Sequence, residues 1–131
     1  MTKLLIVEDQ PNDLQIAAES ARSVGITDIE ARTSYNAAKT YLEKGMRGDI
    51  PLPDGIVLDL DLGYESGYEL LRFWHSNPEL AKIPIIIWTL LGEEQREICT
   101  LFKVNVYISK WEGVAPFREA LLQVISRPPN G

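Results

Sequence analysis

Short, β-branched apolar runs alternate along the chain with stretches whose apolar residues recur at helical spacing, and the alternation repeats five times. KLLIVED at 3–9, GIVLD at 55–59, IPIIIWT at 83–89 and VNVYISK at 104–110 read as strands, with a shorter strand expected around 27–32. Pro11 suits the first turn of a helix on which Leu14, Ala17, Ala18 and Ala21 share a face until Gly25 stops the pattern. Ser34 is a candidate N-cap for a second helix turning Ala37, Ala38, Tyr41 and Leu42 inward, broken at Gly45 and Gly48. The segment RGDIPLPDG at 47–55 is a connector rich in turn formers. Tyr68, Leu71 and Trp74 mark a third helix ended by Asn77-Pro78, and Glu94, Ile98, Leu101 and Phe102 lie along a fourth. A last helix presents Phe117, Leu121 and Val124 before Arg127-Pro128-Pro129.

Strands alternating with helices of this length imply an α/β fold: a doubly wound, five-stranded parallel sheet in the flavodoxin-like order 2-1-3-4-5, with five helices. All-apolar strands such as IVL and IIIW suit burial on both faces. Ligands of such sheets gather beyond the carboxyl ends of the strands, where strand order reverses. Glu8 and Asp9 follow the first run, Asp59 the third, Thr89 the fourth and Lys110 the fifth, so all five residues fall at that edge.

Crowding then dictates chemistry. Carboxylates of Glu8, Asp9 and Asp59 brought within roughly 4 Å repel by about 4 kcal/mol per pair at an effective dielectric of about 20. A cation or proton uptake must offset that. Hard oxygen donors with no His or Cys nearby in sequence point to Mg²⁺ rather than zinc. An Asp beside such a metal is a competent nucleophile toward phosphorus. Lys110 is then placed to pair with a phosphoryl group as a point charge, and the Thr89 hydroxyl to donate to one of its oxygens.

Composition narrows the setting. The chain has 131 residues, one cysteine (Cys99) and a net charge of −6. That length suits one domain, 1–131, with 126–131 as a C-terminal tail and no output domain. A lone cysteine fits a reducing compartment, and no signal-peptide pattern or membrane-spanning run is present, so a cytoplasmic protein is expected. The negative charge argues against direct nucleic-acid binding, which needs clustered Lys and Arg. His75 reads as a solvated or capping residue, Trp74 and Trp88 as core, and Trp111 as an exposed loop residue.

At Glu8-Asp9, Asp59, Thr89 and Tyr107-Ile108-Ser109-Lys110 the chain resembles the receiver domain of bacterial two-component response regulators, over nearly its whole length. The resemblance implies that Asp59 accepts a phosphoryl group from a sensor histidine kinase or a histidine phosphotransfer protein. It implies Mg²⁺ held by Asp9 and Asp59 directly, by Glu8 through water and by the backbone carbonyl of Asp61. Thr89 and Tyr107 match the switch pair, in which the hydroxyl moves toward the phosphoryl group and the ring turns inward. Its output is to an unnamed downstream protein, through the face made by the fourth helix, fifth strand and fifth helix, with Arg96, Lys103 and Trp111 as candidates. A homodimer through that face is compatible with the sequence.

Two departures stand out. Trp111 follows the Lys where the family usually has Pro with a cis bond before it; a non-proline cis bond costs about 2.5–4 kcal/mol, so a trans bond and a re-routed loop are expected. Leu90 follows Thr89 where a small residue is usual, and its bulk is expected to narrow access to the phosphoryl group or to block the inward path of Tyr107. Two other readings stay open: a phosphorylation-independent interaction module of receiver fold, and an Asp-nucleophile phosphatase of the haloacid-dehalogenase kind, suggested by VLDLDLG at 57–63.

Overall fold

Each apolar run expected to be a strand is one in the computed structural model, which describes residues 2–63 and 65–125; the expected tail, 126–131, lies outside the described residues. The elements are β1 (Lys3–Val7), α1 (Pro11–Ser23), β2 (Asp28–Arg32), α2 (Tyr35–Met46), β3 (Gly55–Leu58), the short strands β4 (Asp61–Leu62) and β5 (Glu65–Ser66), α3 (Gly67–Ser76) and α4 (Pro78–Ala81). Then come β6 (Ile85–Thr89), α5 (Glu94–Leu101), β7 (Val106–Ser109), a 3-10 turn (Lys110–Glu112), α6 (Ala115–Ala120) and a π turn (Leu121–Ile125).

The main sheet is parallel throughout in the order β2-β1-β3-β6-β7, which is 2-1-3-4-5 once the separate antiparallel β4-β5 hairpin is set aside. Successive side chains of one strand enter opposite cores. Leu5 and Val7 of β1 pack with Leu42, Leu58, Trp74 and Ile87, whereas Leu4 and Ile6 pack with Ala17, Val57, Trp88 and Phe117. Helices therefore cover both faces, as an all-apolar parallel strand requires. Ser34 caps α2 by accepting from the Ala37 amide at 3.1 Å, and Ser66 caps α3 by accepting from the Tyr68 amide at 3.1 Å. Among the described residues there are six α-helices rather than five, because Pro78 starts the single turn α4 directly after Asn77 ends α3.

Two elements depart from expectation in a way that bears on the surface. The residues that mark α5 as a helix, Ile98 and Leu101, face outward, and its one buried residue is Cys99, whose thiol burial pushes up to about 11. The hairpin β4-β5 was not foreseen; it carries the chain from Asp59 into α3 and depends on Gly67, where a Cβ would lie 2.5 Å from the Asp59 carbonyl oxygen and 2.6 Å from Leu60 Cα. Among the described residues, no helix is long and apolar enough to cross a membrane.

Candidate functional site

Strand order reverses between β1 and β3, and the residues that leave those two strands meet there. The Asp59 amide donates to the Val7 carbonyl at 3.1 Å and the Glu8 amide to the Arg32 carbonyl at 3.1 Å, so pairing persists one residue beyond each strand and fixes both acids. Glu8 and Asp59 are buried. Lys110, leaving β7 with its side chain only 6% exposed, reaches across to both: its ammonium lies 2.6 Å from Glu8 Oε1 and 2.8 Å from Asp59 Oδ2. A third carboxylate, Asp13 Oδ2 in the first turn of α1, accepts from the same nitrogen at 2.8 Å. The ammonium also stands 5.0 Å over the ring of Trp88, which stacks on Phe117 in the core.

The offset for acid crowding is thus supplied within the chain. Burial pushes the Glu8 carboxyl up to about 7, with the charge of Asp59 adding to the rise and the Lys110 hydrogen bond opposing it. Burial works against the Lys110 charge, yet hydrogen bonds to Asp13, Asp59 and Glu8 hold its pKa above the ordinary lysine range. Asp59 Oδ1 accepts from the Asp61 amide at 3.0 Å, which orients the carboxylate.

Asp9, Gln10, Asp13, Asp59, Asp61, Gly63, Leu90 and Lys110 line a cavity of about 330 Å³ above these groups. Asp9 Oδ1 is buried there without a hydrogen-bond partner among the described residues, and its Oδ2 lies 3.0 Å from where a Cβ on Gly63 would sit. An unpartnered carboxylate oxygen beside two further acids is a hard-oxygen donor set that fits a divalent cation. Among the described residues, no three acidic, His or Cys side chains converge into a ready metal shell. Glu8, Asp13 and Asp59 turn toward the Lys110 ammonium instead.

Glu8, Asp9, Asp59 and Lys110 therefore come together, and Asp61 joins them through its backbone. Thr89 is fully buried at the end of β6, and its hydroxyl accepts from the Leu91 amide at 3.2 Å rather than meeting Asp59. Tyr107 is already turned inward, with its hydroxyl on the carbonyls of the loop after β6. Leu90 does not block that path: it is half exposed and lines the cavity, so of its two expected effects only the narrowing of access is compatible with the structure. The bond before Trp111 is trans, and the chain turns there through a 3-10 turn in which Ser109 Oγ accepts from the Trp111 amide at 3.1 Å and Glu112 accepts from the Ser109 amide at 3.1 Å. Trp111 is 80% exposed. Asp13 is the residue that strand ends do not reveal. Its signal lay in α1, one turn before the buried Ala17 and on the same stripe, which aims it at the carboxyl edge of the sheet.

No family model matches the chain. It is 30% identical over 110 residues to response regulator Rcp1 of Synechocystis sp., an alignment covering 82% of this chain and 75% of that protein. The crystal structure of the Mn(2+)-bound form of response regulator Rcp1 shares the fold with a TM-score of 0.81 at 24% identity, covering 98% of each chain. The phosphorylated cyanobacterial phytochrome response regulator RcpA superposes with a TM-score of 0.78 at 26% identity, over 94% of this chain and 90% of that one. With an acid cluster and lysine at the carboxyl edge of a 2-1-3-4-5 sheet and a relative of this likeness, the chain belongs to the response-regulator receivers, the phosphoacceptor domains of phosphorelay signalling.

Proposed function

We propose that Asp59 is the phosphoacceptor. The observation that carries this reading is the position of its carboxylate: buried at the floor of the cavity, oriented by the Asp61 amide and held 2.8 Å from the Lys110 ammonium. A carboxylate oxygen of Asp59 attacks phosphorus, an O–P bond forms as the P–N bond of a phosphohistidine breaks, and the imidazole nitrogen leaves with the bonding pair and takes up a proton. The donor is a sensor histidine kinase or a histidine phosphotransfer protein. Asp9, Asp59 and the Asp61 carbonyl, with Glu8 beside them, would hold Mg²⁺, which would supply positive charge to offset the phosphoryl oxygens. The orphaned Asp9 oxygen supports that assignment.

Lys110 carries the chain's own positive charge to the same place, and burial makes that charge count for more than it would in water. Thr89 and Tyr107 form the switch pair, with the Thr89 hydroxyl free to exchange its bond from the Leu91 amide for one to a phosphoryl oxygen. The message leaves through α5, β7 and α6, where Ile98, Leu101 and Trp111 are exposed apolar residues beside Arg96 and Lys103, and the domain works in the cytoplasm. No observation favours the phosphatase reading or the phosphorylation-independent module.

The test is to incubate wild type and Asp59→Asn with Mg²⁺ and acetyl phosphate and weigh the intact proteins. A phosphoryl mass on wild type alone supports the reading. A mass on neither protein, or on both, overturns it.

A further inference from the structure

Lys110 carries three N–H donors, and each is spent on a different carboxylate: Glu8 at 2.6 Å, Asp13 at 2.8 Å and Asp59 at 2.8 Å. The three acceptors are unequal. The Glu8 and Asp59 side chains are 2% and 5% exposed, whereas that of Asp13 is 27% exposed and borders the cavity. Deprived of the lysine, Glu8 would be a buried carboxylate with only the Gln10 amide, at 3.2 Å, left among the described residues to satisfy it, which is costly. Asp13, deprived of it, can be solvated. For an ammonium that must release one donor in order to meet a phosphoryl oxygen on Asp59, Asp13 is the least expensive partner to leave.

On the reading that Asp59 is the phosphoacceptor, we infer that Asp13 is a positioning residue: it holds the Lys110 ammonium over the cavity and yields its hydrogen bond when the phosphoryl group arrives. Without it, the ammonium is drawn down onto Glu8 and Asp59. It then shields the nucleophilic carboxylate and stands farther from the cavity where the phosphoryl group must sit. The Trp88 ring, 5.0 Å beneath the ammonium, blocks retreat into the core, so the balance among the three carboxylates decides the position.

The test compares wild type, Asp13→Asn and Asp13→Glu by two readouts. The first is the rate of phosphoryl mass gain at saturating Mg²⁺ and acetyl phosphate. The second is the ¹H–¹⁵N signal of the Lys110 ammonium in Mg²⁺-free buffer, which three carboxylate bonds shelter from solvent exchange. Asp13→Asn is expected to slow mass gain about tenfold, the scale of one hydrogen bond to a charged group. It is also expected to broaden or shift the ammonium signal, and Asp13→Glu, which keeps the charge, to recover most of both. An unchanged rate in Asp13→Asn overturns the inference even if the signal moves, because the contact is then structural only, and an unchanged signal overturns it as well. If wild type gains no mass, it is the phosphoacceptor reading that fails; the ammonium signal still decides whether Asp13 holds Lys110.

Discussion

The Tyr107 hydroxyl donates to the Gly92 carbonyl at 2.9 Å, with the Leu91 carbonyl at 3.2 Å, and so ties the end of the sheet to the loop that follows Thr89. The Arg96 guanidinium covers the ring at 4.8 Å and donates to the Tyr107 carbonyl at 3.0 Å, which ties α5 to the same residue. Burial pushes the phenol up to about 12, with the neighbouring Cys99 and Glu93 adding to the rise and Arg96 opposing it, so it stays a donor at any working pH. Tyr107→Phe keeps the buried ring and deletes only the donor. Its expected cost is about 1 kcal/mol in urea unfolding, with faster hydrogen exchange at the amides of residues 92–96. Unchanged exchange there would show that something other than the hydroxyl holds the loop.

Leu90 is half exposed on the wall of the cavity, one residue beyond the buried Thr89. Because half of it is exposed, Leu90→Ala should leave stability within about 0.5 kcal/mol of wild type. Removing the side chain widens the mouth over Asp59 and admits both acetyl phosphate and water more freely. Faster mass gain and a shorter phosphoryl lifetime are expected together, with the environment of the Tyr107 ring unchanged by NMR. A shorter lifetime without faster loading would mean that Leu90 acts on water alone.

The strand-end acids and the lysine were legible because a parallel strand buried on both faces must be apolar until it ends, so the first polar residue after each run marks the edge of the sheet. Topology then brings Glu8, Asp59 and Lys110 together whatever the intervening helices contain. Asp13 escaped that logic because it lies on a helix, where an acid in the first turn is ordinarily explained by the backbone dipole. The orientation of α5 was not legible either. Ile98 and Leu101 look like a buried stripe by spacing, but the face against the sheet is set by Cys99, and spacing alone cannot say which apolar stripe a neighbour covers. The inward Tyr107 depends on carbonyls of a loop whose path no local pattern encodes.

Glu8 gives the fold a pH dependence of definite sign. Its carboxyl titrates near pH 7 in the folded chain, raised first by burial, against about 4.5 when unfolded. Between those values the folded state binds more protons, so this group's contribution is fully present below about pH 4.5 and is lost as pH rises through 7. Glu8→Gln cannot titrate. Without divalent cations, the stability of wild type relative to Glu8→Gln should therefore fall between pH 4.5 and 8, by at most about 3 kcal/mol. Urea titrations of both proteins at each pH measure it. A difference that stays level, or grows with pH, would mean that Glu8 is charged throughout.

Gly67 joins the Asp59 segment to the helix behind it. Its amide donates to the Leu60 carbonyl at 2.8 Å, and an added Cβ would meet the Asp59 carbonyl oxygen at 2.5 Å and Leu60 Cα at 2.6 Å. Both are backbone atoms that cannot swing aside. Gly67→Ala gains at most about 1 kcal/mol of helix propensity at the first residue of α3. The forced backbone shift costs about 1–3 kcal/mol and wins, displacing the segment that carries Asp59. Gly48→Ala is the control: it lies in the connector after α2, nothing is within 4 Å of an added Cβ, and only the φ of +82° would strain the alanine. Both variants should lose stability, but only Gly67→Ala should also lose phosphoryl mass gain from acetyl phosphate, by tenfold or more if Asp59 moves by about 1 Å. Equal loading in the two variants would mean that the site tolerates the shift and that Gly67 serves the fold alone.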